Sequence, residues 1–290
     1  MQLDIFEHSG AVMVRNDVIE ALEQRDAQSA RAACKRLRDQ FPLDDSLPAL
    51  LTLTEALEHR GHESFARHED LLTARQTLEN VIRPAAIHTF GDKEATTWLA
   101  GLWEDLARQA QPLPFRADHA NEHAAALWLQ ASRWHDAVQA VNSIESWRRI
   151  PTPLAWMSQA RLHLFGLQAT WPMLAELAWL SPRRLAELVP RSPDPLLPQL
   201  VRRFEANFDG AGEAADLAWF PAWVLTERPH LAEHLAAAQA SQHSSPEQVM
   251  RLLVELLGLE HQGRHHDIVE KRKTLRELQP SLYAAYMKTR

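Results

Sequence analysis

Trp134-His-Asp-Ala137-Val-Gln-Ala-Val141 and Trp171-Pro-Met-Leu174-Ala-Glu-Leu-Ala178 decide how this chain is read. In each, the tryptophan and the residues three and seven positions on fall on one helical face, and that face is apolar or small. Leu127 and Trp128 stand ahead of the first motif and Ile144 behind it; Leu162 and Phe165 take corresponding places ahead of the second. The two tryptophans are 37 residues apart. That is the length of one helix–turn–helix unit, so Asn121 to Leu180 reads as one helix pair written twice.

The rest of the chain agrees with a helical reading. Only nine of its 290 residues are glycine. Ala, Leu, Glu, Gln and Arg fill the long segments, and β-branched alternation is nearly absent, as helices require. Hydrophobic residues make up 46% of the chain, enough to bury a sizeable core. The formal charge of −7 argues against a general nucleic-acid binder, and no sequence-specific nucleic-acid contact is expected. Cys34 is the single cysteine, so no intrachain disulfide can form and a reducing compartment is the natural setting. The start, Met1-Gln2-Leu3-Asp4, lacks the basic and apolar regions of a signal peptide, and no apolar run reaches the roughly 20 residues of a membrane span. The expectation is a cytoplasmic protein without a membrane contact.

Both ends carry a second regularity. Val14, Val18, Ala21 and Leu22 mark one helix face, ending near Arg25-Asp26; Ala30, Ala33, Cys34 and Leu37 mark the next, which Pro42 stops. Near the other end, Gln262-Gly263 makes a turn, and Ile268, Leu275, Leu278 and Pro280 follow. Ala30 precedes Pro42 by twelve residues, and Ile268 precedes Pro280 by the same twelve. This pattern resembles the tetratricopeptide repeat, in which a small residue opens the second helix and a proline closes the unit twelve positions later. The Trp134 pair fits it loosely, and the Trp171 pair departs further because Pro182 comes early. The resemblance implies an all-α fold built as a right-handed stack of antiparallel helix pairs, an α-solenoid. A helical bundle of unrelated topology is the alternative architecture.

Helix starts are marked by Asp92, Thr152-Pro153, Ser181-Pro182 and Ser245-Pro246, where a capping oxygen can precede a first-turn residue. Gln111-Pro-Leu-Pro-Phe115 is the best domain boundary, and Pro190-Arg-Ser-Pro-Asp-Pro195 and Asp209-Gly-Ala-Gly212 are further breaks. The expected organisation is a tail (1–8), an N-terminal helical-repeat region (9–111) and a C-terminal one (112–290), or one continuous solenoid.

Three groups of residues carry possible chemistry. His119-Ala-Asn-Glu122-His123 and His230-Leu-Ala-Glu233-His234 both match His-x-x-Glu-His. On a helix the two histidines share a face and can hold a metal, with the glutamate activating water. The pattern resembles the inverzincin peptidase signature and implies a metal-dependent hydrolase; the plainer reading makes both segments exposed helix starts. Histidines also gather at two turns, His59, His62, Glu63 and His68 about Gly61, and His261, His265, His266 and Asp267 about Gly263, where solvated side chains are expected.

Ten tryptophans form the second group, eight of them between Trp98 and Trp179. Most read as core. Trp219-Phe-Pro-Ala-Trp223 is too aromatic for one helix face, which points Trp219 and Trp223 toward a partner. Basic pairs at Arg148-Arg149, Arg183-Arg184, Arg202-Arg203 and Lys271-Arg-Lys273 read as solvated faces balanced by nearby acids. Gln2-Leu3-Asp4-Ile5-Phe6 is the third group. It resembles the pentapeptide by which bacterial replication and repair proteins dock on the sliding clamp. There, glutamine would bond the groove rim while Leu3, Ile5 and Phe6 fill an apolar cleft. The alternative is a hydrophobic lead-in packed on the first helix.

No phosphate-binding glycine loop, nucleophile elbow or Cys-His constellation occurs in the sequence. The expected function is therefore a non-catalytic scaffold or adaptor for protein partners, without a cofactor, tethered to the clamp if Gln2–Phe6 docks. A metal-dependent hydrolase is the alternative.

Overall fold

The computed structural model describes residues 2–59, 61, 63–239, 244–263 and 265–289; the side chains of 2–9, 261 and 265 lie outside the described residues. Every regular element among the described residues is helical and none is a strand. The fold is all-α. No helix among these residues is long and apolar enough to cross a membrane. The chain divides into two compact units, Met1–Arg133 and Trp134–Arg290.

The first unit holds α1 (Gln2–Glu23), α2 (Ala27–Gln40), α3 (Leu47–Glu58), α4 (His68–Thr77), α5 (Arg83–Phe90), α6 (Asp92–Gln109) and α7 (Ala124–Gln130). Sequence neighbours pack in order: α1 on α2, α2 on α3, α5 on α6, α6 on α7. The stripe read from sequence is the buried face of α2, with Ala30, Ala33, Cys34 and Leu37 at most 2% exposed. Val18 and Leu22 of α1 are fully buried opposite them, and each such aliphatic contributes about 1.5–3 kcal/mol. Asp26 starts α2 by accepting the Ser29 N–H at 3.0 Å, and Pro42 follows its last residues as expected. The end of α1 is fastened to α6: Trp98 donates its indole N–H to the Leu22 carbonyl (2.8 Å), and Arg25 donates to the Trp98 carbonyl (2.6 Å). Between α4 and α5 the backbone widens into one π-turn, Leu78–Ile82. Pro84 has no N–H to give to a tighter turn, and the Arg83 N–H reaches back to Leu78.

The second unit holds α8 (Trp134–Asn142), α9 (Pro151–Leu180), α10 (Pro182–Leu188), α11 (Leu196–Asn207), α12 (Phe220–Glu227), α13 (Ala232–Ala236), α14 (Ser245–Gln262), α15 (His265–Leu278) and α16 (Pro280–Lys288). Here α9 packs against α8, α10 and α13, while α14 lies on α12 and α15, and α15 on α16. The span of α9 is two helices joined at Gly166, whose φ of +75° and ψ of −179° only glycine adopts without strain. Trp171, just beyond Gly166, is 2% exposed and joins an aromatic core with Phe204, Phe220 and Trp223.

Several expectations are revised. α7 packs on α6 within the first unit, and α8 packs on α9 within the second. The two compact units divide in sequence at 133/134. Residues 111–123 stay with the first unit because Leu113 is buried and the Pro114 carbonyl and Glu122 carboxylate are bonded to α4. Phe165, matched to the buried Trp128, is 54% exposed beside the Gly166 joint, and Leu278 is 42% exposed. Asp92 is the first residue inside α6 and Gly91 holds the cap position; α9 begins two residues earlier than read, at Pro151, and α14 one residue earlier, at Ser245. Residues 2–6, read as preceding the first helix, are backbone residues of α1.

Candidate functional site

α4 starts without a side-chain cap at Arg67, but Glu69 and Asp70 in its first turn oppose the positive helix end. Its inner face presents His68, then Arg75 two turns later. The segment Ala117–Glu122 folds against that face as a 3₁₀ turn, and His119 within it leaves helical geometry altogether (φ −123°, ψ 38°). His119 therefore does not share a helical face with His123. The premise of the metal motif fails at that residue.

What forms instead is a buried polar cluster. Arg75 donates from Nε to Glu122 Oε1 (2.9 Å) and from Nη1 to both oxygens of Glu79 (2.7 and 2.8 Å), so one guanidinium bridges two carboxylates. Glu122 is only 4% exposed, and without that partner its charge would cost several kcal/mol. His119 Nδ1 lies 3.7 Å from Glu122 Oε2, and its ring leans on His68 with centroids 5.4 Å apart. His68 Nε2 is 2.9 Å from the Pro114 carbonyl; a carbonyl only accepts, so that nitrogen carries the hydrogen. His123 sits in extended conformation at the cap position of α7, and its Nδ1 accepts the Ala125 N–H at 3.1 Å. Phe115 packs edge-on to the His123 ring. Burial first, then the neighbouring His68, pushes His123 down to about 4, so it is neutral at pH 7. Arg116 bonded to Asp118 holds that carboxyl below the ordinary range.

Glu122 Oε1 is committed to a guanidinium and His123 Nδ1 to a backbone amide. Among the described residues no group of three or more His, Cys, Asp or Glu is placed to hold a metal. The second motif is divided between a 3₁₀ turn (Pro229–Leu231) and α13; His230 and Glu233 face solvent, while Leu231 and Leu235 between them are buried. In comparisons with known proteins, the chain matches no family model, no curated protein and no solved structure.

Trp223 is 3% exposed, in T-shaped contact with Phe204, and belongs to the core of the second unit. Trp219 is half-buried and stacks on Phe208. The rings of 219–223 thus pack along one aromatic row at the end of α11, Trp223 on Phe204 and Trp219 on Phe208. The basic pairs are largely engaged: Arg148 with Glu176, Arg183 and Arg184 with Glu187, Arg203 with Glu227, Arg272 with Glu260. Of the turn histidines, His62, His261 and His265 lie outside the described side chains; His59 bonds the Glu55 carbonyl. The docking and staple readings of Gln2, Leu3, Asp4, Ile5 and Phe6 both concern side chains outside the described residues.

A feature not singled out in the sequence is an open groove of about 910 Å³ in the first unit, lined by α1 (Ala11, Val12, Arg15), the turn after α2 (Phe41 to Ser46) and His88 of α5. Leu43 is 92% exposed and Val12 47% exposed. An Arg15–Asp44 ion pair (2.6 Å) closes one side of the groove. The signal that could have found it is Leu43 itself, an aliphatic residue directly after a helix-ending proline, where burial on a helix face is impossible.

Proposed function

We propose that this chain is a non-catalytic scaffold that binds another protein, its helix pairs stacked in the tetratricopeptide manner, with the groove beside α1 as a docking face. The observation carrying this reading is the exposure of Leu43 and Val12, which both line that groove and lie in water there. A groove lined by Val12, Phe41, Pro42 and Leu43 together with the Arg15–Asp44 ion pair suits a partner helix or strand bearing aliphatic anchors. In the narrower form of the proposal, Gln2–Phe6 at the start of α1 tethers the scaffold to the bacterial sliding clamp.

Two measurements test this. A photo-crosslinking residue at Leu43, introduced in the native host, should give one dominant adduct that Val12→Asp abolishes without changing the melting curve; absence of any discrete adduct defeats the docking face. Calorimetry against the sliding clamp should show binding on the order of tens of micromolar that Phe6→Ala removes. No heat at that concentration ends the clamp form and leaves the groove to stand on the crosslinking result.

A further inference from the structure

We propose that His123 is an acid-labile helix cap: protonating its Nδ1 turns the acceptor that holds the start of α7 into a donor facing a donor, and releases residues 117–125. A backbone N–H can only donate, so the Ala125 amide 3.1 Å from Nδ1 requires a bare nitrogen there. A Ser, Thr, Asp or Asn oxygen in the same position would accept at any mildly acidic pH. An imidazole cannot, because the nitrogen that takes the proton is the one that caps.

The surroundings make that proton costly while the segment is closed and cheap once it opens. His123 is 4% exposed, with Phe115 against its ring. From α4, His68 and Arg75 face the cluster; from the π-turn, Glu79; from the 3₁₀ segment, Asp118, His119 and Glu122; and α6, which packs along α7, carries Glu104, Asp105 and Arg108 in its last turns. The carboxylates nearest the histidines among the described residues, Glu122 (buried) and Glu79 (half-buried), share the one Arg75 guanidinium. A proton on His123 would be carried by a buried ring with His68 beside it, and would take the place of the Ala125 N–H at Nδ1. The device needs no partner protein and stands apart from the scaffold reading.

The test uses the full-length protein. Hydrogen exchange of peptides spanning 117–130, corrected for the intrinsic pH dependence of exchange, reports local opening. With His123 held near 4 against an ordinary 6.5, the opening equilibrium of the wild type should rise about 20-fold between pH 7 and pH 5. His123→Asn keeps a capping oxygen and should show no such rise; His123→Ala should open readily at both pH values. An equal rise in His123→Asn, or none in the wild type, overturns the proposal. Should the variants fold poorly, imidazole ¹⁵N spectra of the wild type decide instead. They should show His123 with an unprotonated Nδ1 at pH 6, and a midpoint at or above 6.5 would refute the cap.

Discussion

Replacing Arg148 by methionine should destabilise the second unit. Arg148 comes from the 3₁₀ turn Trp147–Arg149 and reaches Glu176 on α9 with Nε and Nη2 at 2.5 and 2.6 Å. The Glu176 side chain is 4% exposed, and its only other donor among the described contacts is the Gln239 N–H at 2.7 Å. Methionine fills most of the arginine stem and leaves the carboxylate buried beside a single amide. Removing one member of a buried pair costs about 3–5 kcal/mol, since the remaining charge stays desolvated and unpaired. For a unit of this size each kcal/mol lowers the melting temperature by roughly 2–4 °C, so a drop of roughly 6–20 °C is expected. Adding Glu176→Gln to Arg148→Met removes the stranded charge while keeping an acceptor for Gln239, and should restore at least half of the loss. The assay is urea denaturation of the four proteins of the cycle, followed by tryptophan fluorescence, with amide exchange at Gln239 as a local readout. A single-variant cost below about 1 kcal/mol, or costs that add within about 0.5 kcal/mol, would show that the pair is solvated and the reasoning wrong.

Four further outcomes are expected. Trp171→Ala, in the aromatic core, should cost about 3–5 kcal/mol, while Trp134→Ala, half-buried with its ring stacked on His163 at 3.8 Å, should cost about half as much; equal costs would restore the equivalence of the two repeats. Gly166→Ala has open space for its methyl group, so any loss, about 1–3 kcal/mol by denaturation, measures backbone strain alone; a neutral change would mean the joint relaxes. His123 is depressed in the folded state, so it does not weaken folding above pH 6.5 and costs about 2 kcal/mol by pH 5 and about 3 kcal/mol by pH 4, read as the difference in pH profile between wild type and His123→Asn. Elemental analysis of purified protein should find less than stoichiometric zinc; one zinc per chain lost on changing His119 or His123 would revive the hydrolase reading.

The helices were legible because their signals are local. Ala30, Ala33, Cys34 and Leu37 share a face by spacing alone, and that face is the one buried. Pro42, Pro182 and Gly263 punctuate helices through their own backbone constraints, which act wherever the residue lies. What spacing does not carry is the identity of the surface that covers a face. Trp134 and Trp171 have the same local pattern, yet one is half-buried against a histidine and the other lies within an aromatic core. α7 and α8 are adjacent in sequence and were read as a pair, but each buries its apolar side against a different neighbour.

The polar cluster shows the same limit more sharply. In the sequence, His119, Glu122 and His123 look like metal ligands because a helix would align them. The chain instead takes a 3₁₀ turn there, since Arg75, far away in sequence, offers the charge that Glu122 needs to be buried. His68 reads as one of a group about Gly61 and ends beside His119. Side-chain period and backbone punctuation follow from neighbours within a turn or two, so the sequence by itself determined an all-helical chain and most of its helix ends. Helix partners, the burial of particular tryptophans and the role of each histidine depend on which desolvated charge meets which counter-charge, and only tertiary packing decides that.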